Sequence, residues 1–153
     1  MATQEDSVSK LESIQLPLVN KFYKRCGDSA KAGRGDIVYV VRRAGAIVAA
    51  VRLQERSSGS YFLRSMCVAP ELRRQGVGGF LLAGMREFLD TIHCYCYPFS
   101  HLDGFYSAAG FQVVEPDGLP DYICAPLMRY RQQGRKLLLM VRDPKASKTP
   151  QLA

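Results

Sequence analysis

No apolar run in the 153 residues approaches the ~20 that a membrane-crossing helix needs, which argues against an integral membrane protein and a membrane partner. The opening stretch, MATQEDSVSKLESIQ, lacks the basic start and apolar core of a secretory signal. A cytoplasmic location is the resulting expectation. The cysteines lack a pairing pattern as well: Cys26, Cys67, Cys94, Cys96 and Cys124 are odd in number and scattered. Only Cys94 and Cys96 lie close together, and a Cys-x-Cys spacing matches neither the usual zinc sets nor a thioredoxin-like motif. Free thiols in a reducing compartment, and no metal, are therefore expected. Internal repeats, low-complexity segments and linkers are missing too. That leaves one domain, long enough to bury about two-thirds of its unfolded surface. Its expected span is residues 13–143, between a disordered tail at 1–12 and a flexible tail at 144–153.

Acidic residues are outnumbered by basic ones, giving a net charge of +7. From Arg129 to Lys148 the cations Arg129, Arg131, Arg135, Lys136, Arg142, Lys145 and Lys148 are opposed only by Asp143. This stretch reads either as a solvated face with a loose tail or as a docking surface for an acidic substrate or RNA.

Periodicity supplies the order of elements. Leu16, Val19, Phe22 and Tyr23 fall at helical spacing before a stop at Gly27. DIVYVVRRAGAIVAAVRLQE reads as a hairpin turning at Ala44-Gly45, and YFLRSMCVAP as a third strand stopped by Pro70. Val77, Leu81, Leu82, Met85, Phe88 and Leu89 then mark an amphipathic helix. TIHCYCYPF alternates as a half-buried strand, with Ile92, Cys94 and Cys96 on one face. A helix stopping near Gly110, a strand, a short helix and a final strand in LLLMV complete the chain. Early strands followed by alternating helices predict an α/β (α+β) fold, a mixed sheet with helices on both faces.

The segment ELRRQGVGGFLLAGM places Gly76, Gly78 and Gly79 at a helix start, directly after Arg73 and Arg74. Glycine costs about 1 kcal/mol against alanine inside a helix, so the cluster is not there for local stability. A strand, a tight loop and a helix N-terminus make an anion site, where unpaired N–H groups meet the positive end of the helix dipole. Bare backbone would let a diphosphate approach, with the arginines adding charge at the rim. A P-loop lysine is absent, and the spacing is not that of the dinucleotide fingerprint.

VAPELRRQGVGGFLL resembles motif A of the GNAT acyltransferases, Arg/Gln-x-x-Gly-x-Gly/Ala. FYSAAGF, residues 105 to 111, is similar to their motif B, in which a tyrosine precedes a Gly-Phe pair by four residues. The resemblance covers residues 14 to 142 or so, and implies a GNAT-like, mostly antiparallel central sheet. It further implies acetyl-CoA as co-substrate and direct transfer of acetyl to a primary amine within a ternary complex. By family pattern the backbone of Met66, Cys67 and Val68 would run beside the pantetheine arm. Arg73, Arg74, Gln75, Gly76, Val77, Gly78 and Gly79 would wrap the pyrophosphate. Tyr106 would be the general acid for the departing thiolate. An asparagine that many relatives carry shortly before this tyrosine is replaced by Phe99 and Ser100.

The general base is open between Glu55, His101 and a relaying water. A covalent route through Cys67, activated by His93 or His101, is the alternative chemistry. The acceptor expected is a small-molecule or peptide amine, and the enzyme a monomer or homodimer. Two alternatives stand beside this reading. One is a non-catalytic CoA-binding module; the other is an acetyltransferase acting on aminoacyl-tRNA, which rests on the basic C-terminal stretch.

Overall fold

The first strand to meet the sheet is one that the sequence pattern hides. In a computed structural model that describes residues 5–57 and 59–145, β1 (Asp6–Lys10) pairs antiparallel with β2 (Asp36–Arg43). This corrects the expected disordered tail over those residues. The segment DSVSK has no apolar periodicity because, as an edge strand, it directs only Val8 toward the core. Asp6 and Arg43 fasten it through two bonds, Nε to Oδ1 at 2.7 Å and Nη2 to Oδ2 at 2.9 Å. The guanidinium holds the Asp6 carboxyl below its usual range, chiefly by that hydrogen bonding. The remaining parts of the expected tails, residues 1–4 and 146–153, lie outside the described residues.

From β1 the chain enters α1 (Leu16–Arg25), which buries Val19, Phe22 and Tyr23 at the predicted spacing. The hairpin of β2 and β3 (Ala46–Ser57) turns at Ala44 and Gly45, whose φ of 53° and 82° make the double left-handed turn that matches strand twist. Next comes β4 (Ser60–Val68), antiparallel to β3. The expected single helix divides at Met85 into α2 (Val77–Gly84) and α3 (Arg86–Leu89). Gly84 lowers helical preference there, and its missing side chain seats Val8: a Cβ at Gly84 would lie 2.5 Å from Val8 Cγ2.

The crossover returns the chain to β5 (His93–Cys96), parallel to β4, followed by α4 (Asp103–Ala108) and β6 (Gln112–Val113). α5 (Asp121–Gln132) and β7 (Met140–Arg142) close the fold. The last strand is shorter than LLLMV suggested, because Leu137 only bridges to Phe99 before regular pairing begins.

The seven strands run β1-β2-β3-β4-β5-β7-β6. Among the described residues every neighbouring pair is antiparallel except β4 and β5. Helices cover both faces, as expected. On one face α1 packs on Val38, Val40, Ala50 and Cys67, and α5 packs Ile123 and Leu127 on Phe62. On the other, Leu81, Leu82, Met85 and Leu89 of α2 and its neighbours meet Val51, Leu53, Leu63, Cys94 and Cys96. The alternation of buried Cys94 and Cys96 with more exposed His93 and Tyr95 follows the predicted parity of β5.

Candidate functional site

The sheet opens between its two parallel strands. β4 and β5 pair only at Ser60–His93, Tyr61–Cys94 and Phe62–Tyr95, while β4 runs on to Val68. Among the described residues no strand pairs with that edge of β4 beyond Phe62. The cause lies in β4 itself. Its register against β3 jumps between Arg52–Arg64 and Ala50–Cys67, so Ser65 and Met66 face the single residue Val51. Ser65 takes a φ of 58°, a left-handed value that costs a residue with a Cβ. Such a bulge bends its strand. Two side chains hold it: Tyr23 Oη donates to the Ser65 carbonyl at 2.8 Å, and Arg52 Nε donates to Ser65 Oγ at 3.1 Å. Tyr23 is fully buried, and burial drives its hydroxyl far above its ordinary pKa.

A cavity of about 240 Å³ fills the opening, walled by Ser65 of β4, by Cys96 at the end of β5 and by Phe99 beyond it. Tyr106 enters it from α4 on one face of the sheet; Tyr130 of α5 and Arg135 just beyond enter from the other. Tyr106 is wedged edge-on against Phe105, at 4.9 Å, and Phe111, at 5.7 Å. Burial raises its pKa strongly, with the Cys96 and Cys94 thiols adding to the effect, so the phenol keeps its proton.

At the far end of β4 the glycine segment forms a loop and a helix start. Arg73 Nε donates to the Val68 carbonyl at 3.0 Å, Arg74 takes a φ of 65°, and Gly76, at φ 84°, is the N-cap of α2. The first N–H groups of that helix have no helical partner and point outward from its N-terminus. A Cβ at Gly76 or Gly79 would meet open space. Gly78 differs: a Cβ there would come 3.1 Å from Phe105 Cζ. Its bareness lets α2 pack on α4, a role the sequence reading did not assign. A second cavity, of about 460 Å³, starts at Gly79 and follows α2 past Ala83 and Phe105 to Arg86 and Lys145. Sequence reasoning missed it, since its walls come from segments up to 66 positions apart, Gly79 to Lys145.

The two candidate bases are not brought into the cavity. Glu55 pairs in register with Tyr61, near the start of β4, and shares the face of Val51 and Leu53 that packs on α2. His101 is exposed in the turn before α4, its ring stacked on Phe99 at 6.0 Å. It therefore touches a wall of the cavity without lining it. Cys67 is buried beside Cys26; burial first, then that neighbour, pushes its thiol up to about 12. A protonated thiol is a poor nucleophile. His93, offered as its activator, points instead at Asp143, Nδ1 to Oδ1 3.2 Å. Among the described residues the C-terminal cations do not form one surface, and Lys148 lies outside those residues. Arg142 is buried, donating from Nη2 to Asp90 at 2.8 Å and from Nε to the Ala109 carbonyl at 3.0 Å, and Arg131 caps the Leu137 carbonyl.

Residues 34–113 match the family described as the acetyltransferase (GNAT) domain. No curated protein matches the chain. Among solved structures, the ribosomal-protein-S18-alanine N-acetyltransferase from Escherichia coli superposes with a TM-score of 0.67 at 17% identity, over 97% of this chain and 100% of that one. Naa50 from Arabidopsis thaliana, in complex with a bisubstrate analogue of CoA, gives 0.62 at 13% over 90% and 97%. N-acetylglutamate synthase from Neisseria gonorrhoeae, complexed with coenzyme A and N-acetyl-glutamate, gives 0.61 at 18%, over 92% of this chain and 35% of that one. With more than half its length matched by the family, and a sheet that opens at the β4–β5 pair, the chain belongs to the GNAT family of acetyltransferases.

Proposed function

We propose that the protein transfers an acetyl group from acetyl-CoA to a primary amine by direct attack, both substrates being held at once in the opening between β4 and β5. The observation that carries this is the continuity of the site. One strand edge that has no partner among the described residues runs from the cavity containing Tyr106 to the Arg73–Gly79 loop. A pantetheine arm lying along Met66, Cys67 and Val68 takes up the backbone groups that β5 leaves unpaired. The loop residues Arg73, Arg74, Gln75, Gly76, Val77, Gly78 and Gly79 supply N–H groups and charge for the pyrophosphate, and the apolar cavity beyond Gly79, with Arg86 and Lys145 at its rim, suits the adenosine end.

In this reading a backbone N–H of Cys67 or Val68 stabilises the thioester oxygen as negative charge develops. Holding amine and thioester together supplies much of the rate through orientation. Tyr106, kept neutral by burial, donates to the departing thiolate. With Glu55 and His101 outside the cavity, a water relay is the favoured path for the amine proton. The unpaired thiols Cys26, Cys67, Cys94, Cys96 and Cys124 are in keeping with a cytoplasmic enzyme.

Thiol release from acetyl-CoA across a panel of amines, with wild type and Tyr106→Phe, tests the reading. Turnover should appear with at least one amine class, and the variant should lose about 10²-fold in kcat while its affinity for CoA holds. CoA binding without turnover on any amine would leave a non-catalytic module. Unaltered kcat in the variant would remove Tyr106 from the chemistry.

A further inference from the structure

We infer that the amine acceptor carries an anionic group, a carboxylate or phosphate a few bonds from the amine, which Arg64 and Arg135 receive; this rests on the acetyl-transfer reading above. Both arginines line the cavity that holds Tyr106, and among the described residues no aspartate or glutamate does. Among the described residues neither takes part in a salt bridge. Arg64 has one long bond, Nη1 to Gln54 Oε1 at 3.4 Å, and Arg135 lies over the Tyr130 ring with its Cζ 5.2 Å from the centroid. Two neighbouring cations are already engaged. Arg52 on the same face is paired with Asp36 at 2.9 Å, and Arg131 is bound to the Leu137 carbonyl through Nε and Nη2.

Two guanidiniums at a concave, Tyr-lined site focus positive potential into it, and an arginine fork suits carboxylate or phosphate geometry. A polycationic acceptor would need carboxylates that the cavity lacks. The volume, about 240 Å³, equals roughly eight waters at ~30 Å³ each, enough for a small amino acid or phosphoamine. The same positive field acts on the nucleophile. Like charge nearby disfavours an ammonium, so the amine's pKa falls and less is asked of a base. That fits a cavity from which Glu55 and His101 are both absent.

The test pairs each anionic amine with its neutral counterpart in the thiol-release assay: α-amino acids against their carboxamides, phosphoethanolamine against ethanolamine, with spermidine as the polycation. The wild type should favour one anionic series over its neutral counterpart by about tenfold or more in kcat/KM, through a higher KM for the neutral amine. Which pair shows the preference separates carboxylate from phosphate. In Arg64→Gln and in Arg135→Gln the ratio should fall towards one. Preference for carboxamides, ethanolamine or spermidine would overturn the acceptor class alone, as would a ratio that survives both substitutions. No turnover with any amine would overturn the acetyl-transfer reading itself, and this inference with it.

Discussion

Gly84→Ala is a methyl-sized test of whether β1 is docked where the structure places it. In an open helix the change would stabilise by about 1 kcal/mol. Here the new Cβ would fall 2.5 Å from Val8 Cγ2, 2.6 Å from its Cβ and 2.8 Å from its Cγ1. All three are closer than packed carbons tolerate, and Val8 Cβ cannot swing away without its backbone. Overpacking of this kind costs about 1–3 kcal/mol, so after the helical gain is offset the net expectation is a loss of up to about 2 kcal/mol. Val8→Gly removes all three offending atoms. On its own it should cost about 1–2 kcal/mol, from lost packing and a freer unfolded chain. In the double variant the alanine methyl occupies the space that valine vacated. Urea unfolding of the four proteins at neutral pH should therefore show a double variant more stable than the summed single losses by at least about 1 kcal/mol. A Gly84→Ala protein that gains its helical ~1 kcal/mol would refute the packing, and with it the docking of β1 against α2.

Tyr23→Phe leaves the Ser65 carbonyl without its 2.8 Å donor inside a buried cluster, so a stability loss of about 1–3 kcal/mol is expected in urea melts, with kcat reduced as the bulge relaxes. Gly79→Ala meets open space in the protein and should match or exceed wild-type stability, yet weaken CoA in a calorimetric titration by crowding the helix N-terminus; unaltered affinity would move the pyrophosphate elsewhere. Hydrogen bonding to Arg142 lowers the Asp90 pKa, so the pair's contribution is present above the carboxylate's unfolded value and lost as pH falls through the folded one. Thermal melts carried below about pH 4 should then show Asp90→Asn losing less stability on acidification than wild type.

Element order was legible because periodicity is local. The run from Val77 to Leu89 and the alternation around Cys94 each sit within a dozen or so residues, and both formed on the predicted faces. Gly76 was legible for the same reason, its φ of 84° being one that glycine accepts at low cost. What escaped was set by distant partners. Gly78 is held bare by Phe105, and Ser65, a residue with no left-handed preference, is bulged by Tyr23 and Arg52. Edge strand β1 escaped because polar residues suffice where only one side chain turns inward. Glu55 could have been placed better from sequence alone. Counting in twos from Val51 and Leu53 puts it on the α2 face of β3, away from Tyr130 and Arg135.

The opening and the acceptor face depend on one another. A parallel neighbour needs a crossover, and here α2 and α3 provide it, so β4 and β5 are free to part above Phe62 without breaking a hairpin. What makes them part is the bulge at Ser65, and the tyrosine that holds it belongs to α1. Tyr23 is packed with Val19 and Phe22 on the face where Arg52 is pinned to Asp36, next in register to Arg64. The strand edge proposed for pantetheine is thus shaped from the side on which the acceptor is proposed to enter. Substitutions in the α1 core that shift Tyr23 should change the apparent affinity for CoA as well as for the amine, although no atom of α1 lines the cavity between β4 and β5.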